Sequence, residues 1–512
     1  MPFEIAPEIR QYVIVDTHMK LYHLAQRLMA VNEFAFDTET NTLRVYGKNK
    51  NFRLVGMSIS WGDNDNYYIP VNHRRTEDID RNIPEDMLRD FLKIPFERRD
   101  IRIIGHNLKF DLHVIKRIGI EPKTTDFFDT MLASWLCDEN TPNVLKENSM
   151  EKLKLEQTHF ADVTTTVPKE VKLEFGLKAS NKATFDLVLI DDGAPYALAD
   201  SFNTWKLYIG YLDLLVEEKM DKIYYNVFIP FMIVLFNMEE RGAVVDVDAL
   251  QKMRVDMQKD IEELEYKIYE CAGIEFNAGS NQQLAEILFG YRKPDTKDKK
   301  GNVKKAKVNE NLLEVSFNFR ILSKTAKGAP QCNNDVIWKL SKMSFKSKRK
   351  QEGVKMCEYL LEYKKLQKLK SAFVDGLLEQ MYDDGKVHPS FNQIGTDSGR
   401  ISCSNPNLQQ LPKADEQDPY QIRRLFIGSV DPETKKRKKI IAIDFANLEM
   451  RVLAHFSKDK NLLNMFLNDE DTHGSTAVNM FNLDCKPDEV KKKYPHLRQA
   501  AKVINFLNHK IA

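Results

Sequence analysis

Residues 34–39 read Phe-Ala-Phe-Asp-Thr-Glu, an apolar run that ends in two carboxylates separated by one residue. Side chains of an extended strand alternate between faces, so Asp37 and Glu39 point the same way. Like charges placed together call for a counter-cation, and hard carboxylate oxygens suit Mg²⁺ or Mn²⁺. Solvated strand-end acids are common, so the pair alone does not decide. Around it, LVGMSISW (54–61) and IRIIGHN (101–107) have the apolar density of further strands, while LHVIKRIG (112–119) and the stretch from Tyr196 to Leu214 have helical spacing. The first two hundred residues therefore read as an α/β domain.

Two more segments give the pair weight. In GHNLKFDLHVI (105–115), Asp111 follows Asn107 and begins a helix whose inner face carries Leu112, Ile115 and Ile118. A carboxylate there also suits the helix dipole, which is the plainer explanation of it. In PYALADSFNTWKLY (195–208), Tyr196 and Asp200 stand four apart on one helical face, where a phenol can orient water while a carboxylate holds a metal. A core tyrosine beside a surface acid would look the same.

Taken in order, DTE, N-x-x-F-D and Y-x-x-x-D resemble the three motifs of proofreading 3′–5′ exonucleases of the DnaQ-like type, which have a ribonuclease H-like fold. The resemblance implies that Asp37, Glu39, Asp111 and Asp200 bind two divalent ions, Mg²⁺ or Mn²⁺. It further implies that Tyr196 positions the attacking water and that Asn107 is a supporting contact to DNA.

The chain of 512 residues has 42% hydrophobic and 29% charged residues, normal for a globular protein and too large for one core. Its 76 Lys and Arg nearly cancel 75 Asp and Glu, so a polyanion must be held by local patches. Cys137, Cys271, Cys332, Cys357, Cys403 and Cys485 form no C-x-x-C pair, which argues against a zinc site or a disulfide framework and for reduced thiols in a cytosol. The most apolar run, 223–236, is broken by Asn226 and Pro230 and falls short of the roughly 18 residues of a membrane span. From about Val216 to Lys370 the spacing turns helical, as in 248–270 and 356–373, around a lysine-rich loop or hairpin at 291–310. Beyond it, KVHPSFNQI (386–394) and KKIIAIDF (438–445) read as strands, and LEMRVLAHF (448–456) and EVKKKYPHLRQAAKVINF (489–506) as helices.

This last region holds a second acid-terminated strand, ending at Asp444, with Glu449 and Arg451 on the helix behind it. Arg498, Lys502 and Phe506 fall on one helical face, a set that fits a triphosphate and its nucleoside. Arg400 is the well-placed cation of the polar loop 396–412. GRISCSNPNLQQLP (399–412), IDFANLEMRVLAH (443–455) and RQAAKVINF (498–506) resemble the T-G-R-L-S-S segment, motif A and the start of motif B of family A DNA polymerases, the group of bacterial DNA polymerase I and many phage replicative enzymes. Residues 230–246, 276–289 and 323–340 are similar to the family's thumb segments.

The resemblance implies a multidomain α/β and α+β protein. A ribonuclease H-like exonuclease domain (1–215) precedes a mainly helical thumb (216–385), the first part of a palm (386–470) and the start of the fingers (471–512) of a right-hand polymerase. It implies that Asp444 is a catalytic metal-binding aspartate and that Glu449 lies under the incoming sugar. Arg400 would contact the primer terminus, and His473, Arg498, Lys502 and Phe506 would hold the dNTP. The family's Gly and Tyr-Gly after Phe506, and its His-Asp-Glu turn, do not occur in these residues, where LNHKIA follows instead. That pattern predicts an interrupted polymerase whose synthesis needs a second polypeptide. The absence of room for a 5′-nuclease ahead of the exonuclease favours a phage-type enzyme working in a host cytoplasm. The expected partners are primer-template and single-stranded DNA, with no membrane. Two other readings stay open: a free-standing 3′–5′ exonuclease, and a non-catalytic DNA-binding protein gripping phosphates through basic segments such as KMSFKSKRK (342–350).

Overall fold

The computed structural model describes residues 11–46, 52–297, 303–412 and 419–508, of which 296, 297, 304 and 506–508 are described by backbone alone. The chain divides into two compact units, Met1–Ser429 and Val430–Ala512.

The first unit starts with a six-stranded mixed sheet in the order β1-β4-β3-β2-β5-β6. Its strands are β1 (Val13–Ile14), β2 (Glu33–Thr40), β3 (Leu54–Ser60), β4 (Asn66–Pro70), β5 (Arg102–Gly105) and β6 (Phe127–Asp129). The strands β4, β3 and β2 are antiparallel neighbours, while β2, β5 and β6 run parallel. Every residue of β3 is buried, as expected where both faces of a sheet are covered. The covering helices include α1 (His18–Ala30), α2 (Glu85–Phe96), α3 (Leu108–Arg117), α4 (Thr130–Cys137), α5 (Leu145–Leu153) and a long helix, Ile190–Glu217. Phe34, Phe36, Phe96, Ile103, Phe128 and Tyr208 are among the residues of the common core. Asp129 ties two of these helices to the sheet. Its carboxylate accepts from the backbone N–H groups of Asn107 and Leu108 at the start of α3, and of Met131 and Leu132 at the start of α4.

Next come helices Ile229–Arg241, Val247–Ala272, Asn281–Phe289, Asn334–Ser341 and Lys348–Leu369. A core of Ile261, Leu284, Phe317 and Leu360 gathers here, and another of Val245, Leu250, Val374, Val387 and Ile422 follows it. Within the lysine-rich stretch, Thr296–Lys297 pairs antiparallel with Val303–Lys304. Arg349 of the basic segment 342–350 is spent on structure: its guanidinium donates to the carbonyls of Cys271, Ala272 and Val315, closing the end of helix Val247–Ala272. The strand expected over 386–394 forms as two short pieces, Lys386–Val387 and Ser390–Asn392. Among the described residues, no helix is long and apolar enough to cross a membrane.

The second unit corrects two expectations. KKIIAIDF forms no strand; Ile440, Ile441 and Ile443 are 62%, 80% and 91% exposed, and Asp444 lies in exposed irregular chain. A strand needs a neighbour to take its backbone hydrogen bonds and a layer to take its apolar face. Within the described residues of this unit the only β pairing is the isolated bridge Val430–Arg437. The single helix expected over 489–506 is two, Pro487–Lys493 and Pro495–Asn508, because Pro495 cannot continue the first and starts the second. Helix Leu448–Ser457 forms as expected.

Candidate active site

The middle of the sheet carries the acids. Asp37 and Glu39 project from β2, opposite Ser58 and Gly56 of β3. The long helix Ile190–Glu217 packs across β2 and β3 and delivers Asp200 to them. One oxygen from each of Asp37, Glu39 and Asp200 lies within 4.8 Å of the other two. Glu39 and Asp200 are only 9% and 8% exposed, and Asp200 Oδ1 is buried with no hydrogen-bond partner among the described residues. A buried carboxylate oxygen left without a donor is a position that a cation completes. The donor set is all oxygen, which suits Mg²⁺ or Mn²⁺ over softer metals.

Asp111 stands outside this trio. It sits in the first turn of α3, 2% exposed, and its Oδ1 accepts from both the backbone N–H (3.1 Å) and the hydroxyl (2.5 Å) of Thr38, the residue between Asp37 and Glu39. It is thus fastened to the same strand end. Burial pushes the Asp111 carboxyl up to about 8 despite the two Thr38 bonds, and pushes Asp200 up to about 6, against which Lys146 acts. Burial, and then the neighbouring acids, drive Asp37 and Glu39 well above the usual carboxylate range. Ionising all four acids here is therefore costly unless positive charge arrives with the ionisation.

Tyr196 occupies the same face of the long helix as Asp200. Burial, and then Asp200, Glu39 and Asp37, hold its phenol protonated and so able to donate. Asn107 starts α3 in the left-handed backbone region, φ 60°, and lines a cleft of about 620 Å³ together with Leu43, Arg44, Phe110 and Arg117. On its other side α3 is fixed to helix Ile229–Arg241: His113 bonds Glu239 and Glu240, each at 2.6 Å, and Lys109 pairs with Glu239.

Sequence reading missed Lys146, Thr38 and Asp129. Lys146 lies in VLKENSM (144–150), where nothing in the spacing marks it; only the fold brings α5 to the acids.

In the second unit the structure brings together three of the residues expected to bind nucleotide. Arg498 forms a bidentate pair with Asp471, at 2.6 and 2.9 Å. His473 is 4% exposed and bonds Asn505 at 3.0 Å, and burial, with Arg498 and Lys502 nearby, lowers its pKa. Glu449 lies in the first turn of helix Leu448–Ser457. The side chain of Phe506 is outside the described residues. Arg400, in the first unit, is exposed, with its carbonyl bonded by the Thr396 hydroxyl at 2.7 Å.

Comparison with known proteins matches both halves of the chain. The family described as DNA polymerase family A matches residues 247–508, and that described as 3′-5′ exonuclease matches residues 12–210. The DNA polymerase I of Borreliella burgdorferi is 30% identical over 497 residues, covering 97% of this chain and 47% of that protein. The DNA polymerase of Escherichia phage T5 is 27% identical over 507 residues, covering 93% of this chain and 52% of that one. The chain thus spans about half the length of the curated relatives it matches. Among solved structures, the POL domain of Pol1 from M. smegmatis, in complex with DNA primer-template and dNTP, superposes with a TM-score of 0.66 at 20% identity, over 96% of this chain and 70% of that one.

Proposed function

The chain belongs to DNA polymerase family A, and on that premise we propose that its first two hundred residues remove nucleotides from the 3′ end of DNA, as the proofreading activity of a polymerase. The observation that carries this reading is the oxygen trio of Asp37, Glu39 and Asp200, with a buried Asp200 oxygen that no described residue bonds. Asp37, Glu39 and Asp200, with Asp111 beside them, would hold two Mg²⁺ or Mn²⁺ ions. Bound there, divalent ions lower the pKa of water and neutralise charge on the phosphate. The protein's own contribution is positional. Tyr196 hydrogen-bonds and orients the attacking water, Thr38 fixes Asp111, and the cleft lined by Asn107, Arg44 and Arg117 receives the single strand. In the reaction, a bond forms from water oxygen to phosphorus and the bond from phosphorus to the penultimate 3′ oxygen breaks. That oxygen leaves with a proton and a nucleoside 5′-monophosphate is released.

For the remainder we propose the domain bounds 216–385, 386–470 and 471–512 as thumb, palm and fingers elements that bind primer-template DNA and a dNTP. Arg400, Asp444, Glu449, His473, Arg498, Lys502 and Phe506 take the roles their motifs imply. The six free cysteines suit a reducing compartment, and we propose the cytoplasm.

The test is incubation of the chain with a 3′-labelled single strand in Mg²⁺. Release of labelled nucleoside 5′-monophosphate, stopped by chelation and by a blocked 3′ end, supports the reading. Release from the 5′ end, or none, overturns it.

A further inference from the structure

Lys146, on α5, is the cation among the acids. Its Nζ donates to the Thr158 carbonyl at 2.6 Å and lies 4.0 Å from the centre of the Tyr196 ring. Its charge is attracted by Asp200, Glu39 and Asp37 and, less strongly, by Asp162. Half-burial of an ammonium costs solvation, and here the nearby carboxylates offset only part of that cost. Were the carboxylates to hold divalent cations, they would no longer balance Lys146, which lies half-buried beside Tyr196 and would then favour an anion. The anion that reaches this point is the phosphate being cut. We propose that Lys146 binds the phosphate of the 3′-terminal nucleotide, first in the diester and then in the released nucleoside 5′-monophosphate. This rests on the exonuclease reading above. It adds a substrate-binding residue that no motif of the sequence marks, and it predicts that product retention is set partly by Lys146.

The experiment compares equilibrium binding of thymidine 5′-monophosphate and of thymidine, both in Mn²⁺, to the parent chain, Lys146→Met and Lys146→Arg, alongside 3′ hydrolysis. Methionine keeps the packing of the lysine stem and removes the charge. A lost charge-assisted hydrogen bond should weaken the monophosphate about tenfold in Lys146→Met. Thymidine should bind as before, and Lys146→Arg should recover most of the loss. Equal weakening of both ligands, no weakening of either, or no monophosphate binding by the parent overturns the proposal. Lost hydrolysis with unchanged monophosphate affinity also overturns it, since Lys146 would then serve only to hold α5 and Tyr196. If the parent binds monophosphate yet hydrolyses no DNA, the exonuclease reading falls, while the Lys146→Met comparison still decides the phosphate contact.

Discussion

Two acid-terminated apolar runs, FAFDTE (34–39) and IIAID (440–444), look alike and end in opposite states. The first is one of the two central strands of a six-stranded sheet, with Phe34, Ala35 and Phe36 wholly buried. The second lies in exposed irregular chain with Ile443 91% exposed. Their composition predicts the same strand. The difference is that β2 has β3 on one side and β5 on the other, and the later run pairs with no described strand of its unit. A strand is a property of its neighbours as much as of its residues. An acid is held in a defined place only if the strand beneath it is.

The sharpest way to break this comparison is at the acids themselves. Asp37→Ala with Glu39→Ala should lower 3′ hydrolysis by about a thousandfold or more, since it removes two oxygen ligands from an oriented trio. Asp444→Ala should leave that rate unchanged. If both variants lose hydrolysis equally, the two runs act together and the contrast fails. The next effect is conformational. Limited proteolysis should cut within 439–446 at least about a hundredfold faster than within β2, because backbone without partners opens at little free-energy cost. Equal protection would mean that the later run is paired in solution. Tyr196→Phe should slow hydrolysis by about tenfold, through loss of the hydroxyl that orients water, and leave the binding of Mn²⁺ unchanged. A loss as large as that of the acid pair would make Tyr196 part of the metal site.

The smallest effect is on stability. Asp200 and Asp111 have carboxyls raised to about 6 and about 8 by burial, so the metal-free folded state holds their protons more tightly than the unfolded chain does. Their contribution is fully present below the ordinary aspartate value and is lost as pH rises through about 6 and then about 8. The melting temperature of the first unit should therefore fall by a few degrees over that window without metal, and Mn²⁺ should reverse the fall. Asp111→Asn with Asp200→Asn should flatten the metal-free dependence. A melting temperature that rises with pH would show that the acids are ionised and balanced in the empty site.

Much of the site was legible because its chemistry is written in local spacing. Alternation in a strand puts Asp37 and Glu39 on one face, and four-residue spacing in a helix does the same for Tyr196 and Asp200, whatever the rest of the chain does. The α/β character of the first region and the helical run after Val216 were readable on the same grounds, whereas the DNA polymerase family was readable only from the resemblance of its motifs. Tertiary structure alone decided which acids meet. Asp200 joins Asp37 and Glu39 because the long helix crosses β2 and β3, while Asp111 is fastened to Thr38. It decided that Arg349 closes a helix end, that Arg498 pairs with Asp471, and that Lys146 lies close enough to the carboxylates to feel their charge. The physical reason is common to all of these: sequence periodicity fixes which side chains share a face, but the partner that face meets comes from residues tens of positions away. Burial, and with it the strength of every charge in the site, exists only once that partner has arrived.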